Sequence, residues 1–228
     1  MGTPLDSCER QAVEVIDRLR EEYPDATILL DFSNRLELLV AVILSARCTD
    51  ERVNAATADL FEKYRGPGDY AGADQEELAA DIDSITYYNN KAEYIRETCR
   101  RIVEEHGGNV PDTMADLTDL PGVGRKTANV VLQHGHDVVE GIVVDTHVQR
   151  LSKRLGLTDH DRPGRIEEDL TGIVPGSEWQ QFTHLLISHG RAVCSARNPD
   201  CGGCLLENIC PSSKLDCDVD SASDEPRE

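Results

Sequence analysis

Four cysteines near the end of the chain constrain its fold more than any other feature. Cys194, Cys201, Cys204 and Cys210 are spaced C-x6-C-x2-C-x5-C. Residues 1–9 lack a basic segment followed by an apolar one, so no secretory signal is read and an intracellular, reducing compartment is expected. In that setting, thiols this dense point to metal and not to disulfides. Structural zinc sites usually pair two short C-x2–4-C knuckles, and here only Cys201 and Cys204 form one. Four thiolates from one compact segment also suit a cubane iron–sulfur cluster, and the spacing leans that way without excluding zinc. The bland alternative is four unliganded thiols. Cys8, Cys48 and Cys99 lie in or beside apolar helical segments and read as small buried hydrophobes. Cys217 follows in a polar tail and suggests no role.

The chain carries a net charge of −20, which by itself argues against nucleic acid as a partner. The basic residues are lopsided, with lysine only at Lys63, Lys91, Lys126, Lys153 and Lys214 and the rest arginine. Abundant Asp and Glu with few Lys is the balance expected of a halophile's protein. In concentrated salt the repulsion is screened within a few ångströms. The acidity is therefore read as a statement about the solvent. The longest apolar run, Leu36 to Ala46, is too short for a membrane span and is interrupted by Glu37 and Ser45.

Apolar spacing predicts helices over most of the chain. They run over 11–23, 36–45, 50–64 and 91–106, then over 113–120 and 125–133, again after Asp145, and over 183–188. Pro24 and the Gly107-Gly108 pair act as stops. Val138 to Val144 is the one β-rich stretch and is short. The expected class is all-α, in two lobes. Residues 27–138 make a helical domain; 1–26 with 139–217 make a second domain that holds the cysteines; 218–228 form an acidic, disordered tail.

Leu120-Pro121-Gly122-Val123-Gly124-Arg125 opens into a helix that carries Lys126. Proline and two glycines permit a sharp turn between helices. They also bare backbone N–H groups at a positive helix end, which makes a phosphate grip with no sequence readout. Such a grip uses backbone dipoles, so an acidic protein tolerates it. The ordinary reading is a plain helix–turn–helix corner.

Leu120 to Leu132 closely resembles the helix-hairpin-helix of the endonuclease III family. The resemblance continues in Val144-Asp145-Thr146-His147, in His189-Gly190-Arg191 and in the four-cysteine spacing. Leu44-Ser45-Ala46 with Thr49-Asp50, and Tyr88-Asn89 with Lys91-Ala92, also look like family segments. It covers about residues 10 to 214, and separate motifs in the right order are far more specific than any one.

The resemblance implies a two-lobed helix-hairpin-helix DNA glycosylase with a C-terminal [4Fe–4S] cluster held by Cys194, Cys201, Cys204 and Cys210. It would act on double-stranded DNA that contains damaged pyrimidines or abasic sites; a monomer is the default expectation, in the cytoplasm and associated with the nucleoid. It assigns Lys126 as the nucleophile and Asp145 as the essential carboxylate, facing each other across the cleft between the lobes. An amine can attack the anomeric carbon, expel the base and leave a Schiff base, after which β-elimination breaks the strand. Asp145 would act in acid–base chemistry or stabilise charge developing on the sugar. Taken alone, Lys126 reads as a solvated lysine and Asp145 as an N-cap. Leu120 to Arg125 would hold DNA, and Arg191 and Arg197 would touch phosphates. His147 and His189 read as packing or hydrogen-bonding residues.

The target base must leave the duplex to reach Lys126. Two departures fall where the vacated space would be filled. Bacterial family members carry Gln after Leu-Ser-Ala, and this chain has Arg47. They carry Gly-Leu before Tyr-Asn, and this chain has Thr86-Tyr87. Arg47 would read the orphaned base and Tyr87 would wedge by stacking. An adenine glycosylase on the same scaffold would lack Lys126 and carry a further domain, whereas a uracil or thymine mismatch glycosylase can be this small. A non-catalytic DNA-binding module has no use for Lys126 with Asp145. An iron–sulfur electron carrier leaves the hairpin unexplained.

Overall fold

A computed structural model describes residues 7–213, all of them helix, turn or loop. Cys217 and the acidic segment 218–228 lie outside the described residues. The chain divides into two compact units, Leu29–Glu140 and the residues on either side of it.

The inner unit is built around α2 (Arg35–Ser45). Its residues Leu36 and Leu38 to Leu44 are all buried, so this helix is apolar on every side and must be surrounded. Asn34 caps it by accepting from the Glu37 N–H, and the Glu37 carboxylate accepts from the Ser33 N–H at 2.6 Å. Packed on α2 are α3 (Asp50–Lys63), α6 (Tyr88–Glu105) and α8 (Arg125–Gly135). Gly135 lets the end of α8 press onto α2, where Arg35 Nε donates to its carbonyl at 2.6 Å. The short helices α4 (Pro67–Gly72) and α5 (Gln75–Asp81) cover α6, and α7 (Met114–Asp119) precedes the hairpin.

The outer unit joins α1 (Ser7–Glu22) to α9 (Thr146–Arg154), α10 (Pro163–Ile173) and α11 (Trp179–Ala192). Its core is one apolar cluster: Val15, Ile16 and Leu19 of α1 meet Leu151, Leu170, Phe182 and Leu186. Each such side chain contributes about 1.5–3 kcal/mol on leaving water. Leu206 enters the same core from the cysteine loop, and Cys194, Cys204 and Cys210 pack against it. Two side chains of α1 tether that loop: Gln11 Nε2 donates to the Ile209 carbonyl at 3.1 Å and Arg18 Nη1 to that of Leu205 at 2.8 Å.

Sequence and structure differ at element edges. α1 begins before residue 11 and α6 starts at Tyr88, three residues before the expected start. α11 extends the expected 183–188 helix at both ends, and α4, α5 and α10 were not expected. The β-rich stretch 138–144 pairs with no strand among the described residues; Ile142 and Val143 are simply buried as extended chain.

Candidate active site

The hairpin lies in the inner unit. The Val123 N–H donates to the Leu120 carbonyl at 3.1 Å, closing the turn. Thr98 Oγ1 on α6 donates to the Pro121 carbonyl at 2.8 Å, fixing the turn to the helix beneath it. Gly122 has φ +75, and a Cβ there would lie 2.9 Å from Cβ and Cγ of Tyr94. Leu120 and Val123 are buried at 2% and 5% exposure, so they anchor the turn in the core of the unit. Gly124 caps α8 with no side-chain hydrogen bond, and a Cβ on it would meet nothing within 4 Å. The space beside Gly124 is thus open at the positive end of the helix. Lys126 stands exposed in that turn.

Three exposed non-glycine residues of the inner unit have left-handed backbones: Arg47 at φ 58, just past α2, Tyr87 at φ 60, at the start of α6, and Asp137 at φ 56, past the end of α8. Tyr87 leaves 60% of its surface in solvent. Non-glycine residues in this region store about 1–3 kcal/mol of strain each, and such strain concentrates at functional sites.

Asp145 belongs to the outer unit, as the N-cap of α9. Its Oδ1 accepts from the N–H groups of His147 and Val148, both at 2.8 Å. One oxygen makes both cap bonds, which fixes the carboxylate while Oδ2 takes no part in the cap. His147 is a hydrogen-bonding residue, its Nδ1 lying 3.1 Å from Arg150 Nη2, and burial lowers its pKa. Gly190 explains itself: a Cβ there would fall 2.7 Å from His147 Nδ1, so α9 and α11 meet this closely only over glycine. Arg191 and Arg197 are exposed on the same unit.

Cys194, Cys201, Cys204 and Cys210 line one cavity of about 80 Å³. All described cysteines are free thiols. Arg154 Nη1 donates to Cys194 Sγ at 3.1 Å and to the Ser195 carbonyl at 2.8 Å. His189 is buried, with its pKa pushed down to about 4. Its Nδ1 lies 3.2 Å from the Tyr23 hydroxyl and its Nε2 3.4 Å from Cys204 Sγ. With Tyr23 donating to Nδ1, the Nε2–H points at the sulfur. No group of three or more His, Cys, Asp or Glu among the described residues is placed to hold a metal ion. Cys99 is a buried apolar thiol as expected, but Cys8 and Cys48 are only half-buried, and Cys48 accepts a hydrogen bond from the Thr86 N–H at 3.3 Å. Sequence patterns missed Arg154 and Cys48 because their partners lie about forty residues away.

Residues 40–175 match the model of the HhH-GPD superfamily of base excision DNA repair proteins. Endonuclease III of Synechocystis sp. is 49% identical over 92% of this chain and 96% of its own length. The chain belongs to the endonuclease III family. The Escherichia coli enzyme is 43% identical over 87% of this chain and 93% of its own. A solved structure of a trapped endonuclease III–DNA covalent intermediate superposes with a TM-score of 0.87 at 43% identity, covering 95% of this chain and all of that one. A thermostable thymine-DNA glycosylase shares the fold at a TM-score of 0.81 and 23% identity. Endonuclease III membership makes this chain a base-excision repair enzyme, a DNA glycosylase and abasic-site lyase. No helix among the described residues is long and apolar enough to cross a membrane.

Proposed function

We propose that this endonuclease III homologue removes oxidised pyrimidines from duplex DNA and cleaves the abasic site through a Schiff base on Lys126. The observation that carries the reading is the exposed Lys126 in the uncapped first turn of α8, directly after a glycine hairpin open to solvent. The hairpin N–H groups hold a phosphate beside the extruded nucleotide. The Lys126 amine donates its electron pair to C1′, and the N-glycosidic bond breaks with its pair leaving on the base, which takes up a proton. Ring opening gives an iminium; loss of a C2′ proton then expels the 3′ phosphate oxygen, and water releases the lysine. Asp145, oriented by its cap bonds, stabilises positive charge on the sugar or moves the proton. Arg47 and Tyr87 enter the space left by the nucleotide, and Arg191 and Arg197 contact phosphates. The enzyme acts as a monomer in the cytoplasm, on nucleoid DNA. A thymine glycol duplex labelled at its 5′ end tests the reading: the enzyme should yield a strand ending in an unsaturated aldehyde. An intact strand carrying only an abasic site would make it a monofunctional glycosylase.

The hairpin glycines have separable effects. Gly122→Ala places a Cβ against Tyr94 at a left-handed φ and should destabilise the fold by about 1–3 kcal/mol. Gly124→Ala meets no atom of the protein, so its melting temperature should stay near wild type while affinity for DNA falls. Equal behaviour of the two variants in melting and binding would contradict a backbone grip.

The four thiols fit a [4Fe–4S] cluster better than a single zinc ion. They surround a small cavity instead of converging on one point; Cys194 Sγ receives an N–H from Arg154, and His189 Nε2 lies 3.4 Å from Cys204 Sγ. Bound there, the cluster would supply a rigid frame for the loop that carries Arg197. Arg154 neutralises sulfur charge and holds the loop carbonyls. Arg154→Gln should release iron to a chelator about tenfold faster or more, read as bleaching of visible absorbance. An unchanged rate would remove Arg154 from any role at the cysteines.

A further inference from the structure

A buried lysine ties together the two loops that carry Arg47 and Tyr87. Lys91, in the first turn of α6, is 5% exposed. Its ammonium donates to the carbonyls of Leu44 at 2.8 Å and Ala46 at 2.6 Å, and lies 3.8 Å from Cys48 Sγ. Leu44 and Ala46 end α2 and lead directly into Arg47. A helix end leaves carbonyls without partners, and here one cation from another helix satisfies them. The same thiol accepts from the Thr86 N–H at 3.3 Å, and Thr86 leads directly into Tyr87. Burial alone would raise the Cys48 thiol, but the Thr86 N–H and the nearby Lys91 and Arg52 charges leave it below its ordinary value. Burial lowers Lys91 from the usual ammonium range, with Cys48 opposing the shift. The only described non-glycine residues with positive φ are Arg47, Tyr87 and Asp137, and the first two flank this one knot.

We propose that Lys91, acting through Cys48, is a positioning residue that locks Arg47 and Tyr87 into a single rigid reader, so that both enter the duplex together and choice of the opposite base depends on the lock. The proposal rests on the reading of those two side chains as the groups that fill the vacated space. A free left-handed residue relaxes within the unbound protein and must be reordered on DNA; the Lys91 bonds hold the strained loops before DNA arrives. Cys48 joins the two loops, since its sulfur takes the Thr86 N–H of one and its backbone belongs to the other.

The test is a double-mutant cycle on discrimination. Excision of thymine glycol opposite each of the four bases is measured under single-turnover conditions for wild type, for Lys91→Met, for Arg47→Ala with Tyr87→Ala, and for all three changes together. Lys91→Met alone should flatten the ratio between the fastest and slowest opposite base by about tenfold, a scale typical of coupled contacts. It should do nothing further once Arg47 and Tyr87 are alanine. Melting curves and visible absorbance confirm that each variant is folded. Cys48→Ala should flatten the ratio in part, and Cys48→Ser, which keeps an acceptor for Thr86, should restore it. A folded Lys91→Met variant with the wild-type ratio overturns the proposal, and so does a Lys91→Met effect that persists in full without Arg47 and Tyr87. If the double alanine variant itself keeps the wild-type ratio, the reading of Arg47 and Tyr87 has failed and the lock with it.

Discussion

Lys126→Gln should leave a folded protein that binds abasic DNA and no longer cuts it. Glutamine keeps the polarity and helix propensity of the position. The side chain is exposed in the first turn of α8, and changes at such surfaces move stability by about 0.5 kcal/mol or less. The phosphate grip survives, because it uses the backbone N–H groups beyond Gly124 and not the lysine charge. What disappears is the electron pair that attacks C1′, and with it the covalent intermediate that elimination requires. Fluorescence anisotropy on a duplex with a reduced abasic site should give an affinity near wild type, while single-turnover cleavage falls to background. A variant that cuts at the wild-type rate would place the nucleophile elsewhere.

Asp145 offers a sharper separation, because its one carboxylate has a proposed second task beside the helix cap. Asp145→Asn keeps an oxygen for the His147 and Val148 N–H groups, and asparagine is as good an N-cap as aspartate. It removes the negative charge. The expected result is a melting temperature near wild type with base excision slowed by about two to four orders of magnitude. Asp145→Ala should show the same loss of rate and, in addition, a loss of about 0.5–2 kcal/mol in stability for want of the cap. If Asp145→Asn excises at the wild-type rate, the residue is a cap alone and some other group manages the charge on the sugar.

The contrast between Asp145 and Lys91 shows which parts of the molecule its sequence reveals. Asp145 caps a helix that begins at the next residue, so its bonds run to positions two and three ahead. The hairpin is similarly local, its turn closed within four residues. Both are legible because the residues that interact are also neighbours in the chain. The cysteine loop is compact in sequence for the same reason. Lys91 bonds to Leu44 and Ala46, and Arg154 to Cys194, across forty or more positions, and no local pattern marks either. α10 carried readable signals, with Pro163 at its first position and Ile166 and Leu170 on one face, yet its polar, glycine-bearing sequence hid them. α4 and α5 are too short for periodicity to speak; they exist because α6 covers their apolar sides. The β-rich stretch 138–144 rightly carries little weight, since β propensity records a fit to a half-buried surface and no partner strand pairs with it among the described residues.

Lys91 also changes what a buried cation in such a protein means. An acidic chain with few lysines places one of them under the two loops that depart from the family pattern. Truncating Lys91 leaves the Leu44 and Ala46 carbonyls without their donor, so Lys91→Met destabilises α6 and α2 as well as the reader. The discrimination ratio, and not the rate alone, therefore carries its test.

The measurement that reaches the central claim most directly is the identity of the residue bonded to DNA. The folded enzyme is incubated in concentrated salt with a thymine glycol duplex and borohydride, the adduct is digested with protease and nuclease, and the modified peptide is sequenced by mass spectrometry. The account predicts one reduced adduct, on the peptide that spans Gly124 to Val131, with the added mass on Lys126. An adduct on any other amine, or none from folded enzyme that removes the base, would contradict it.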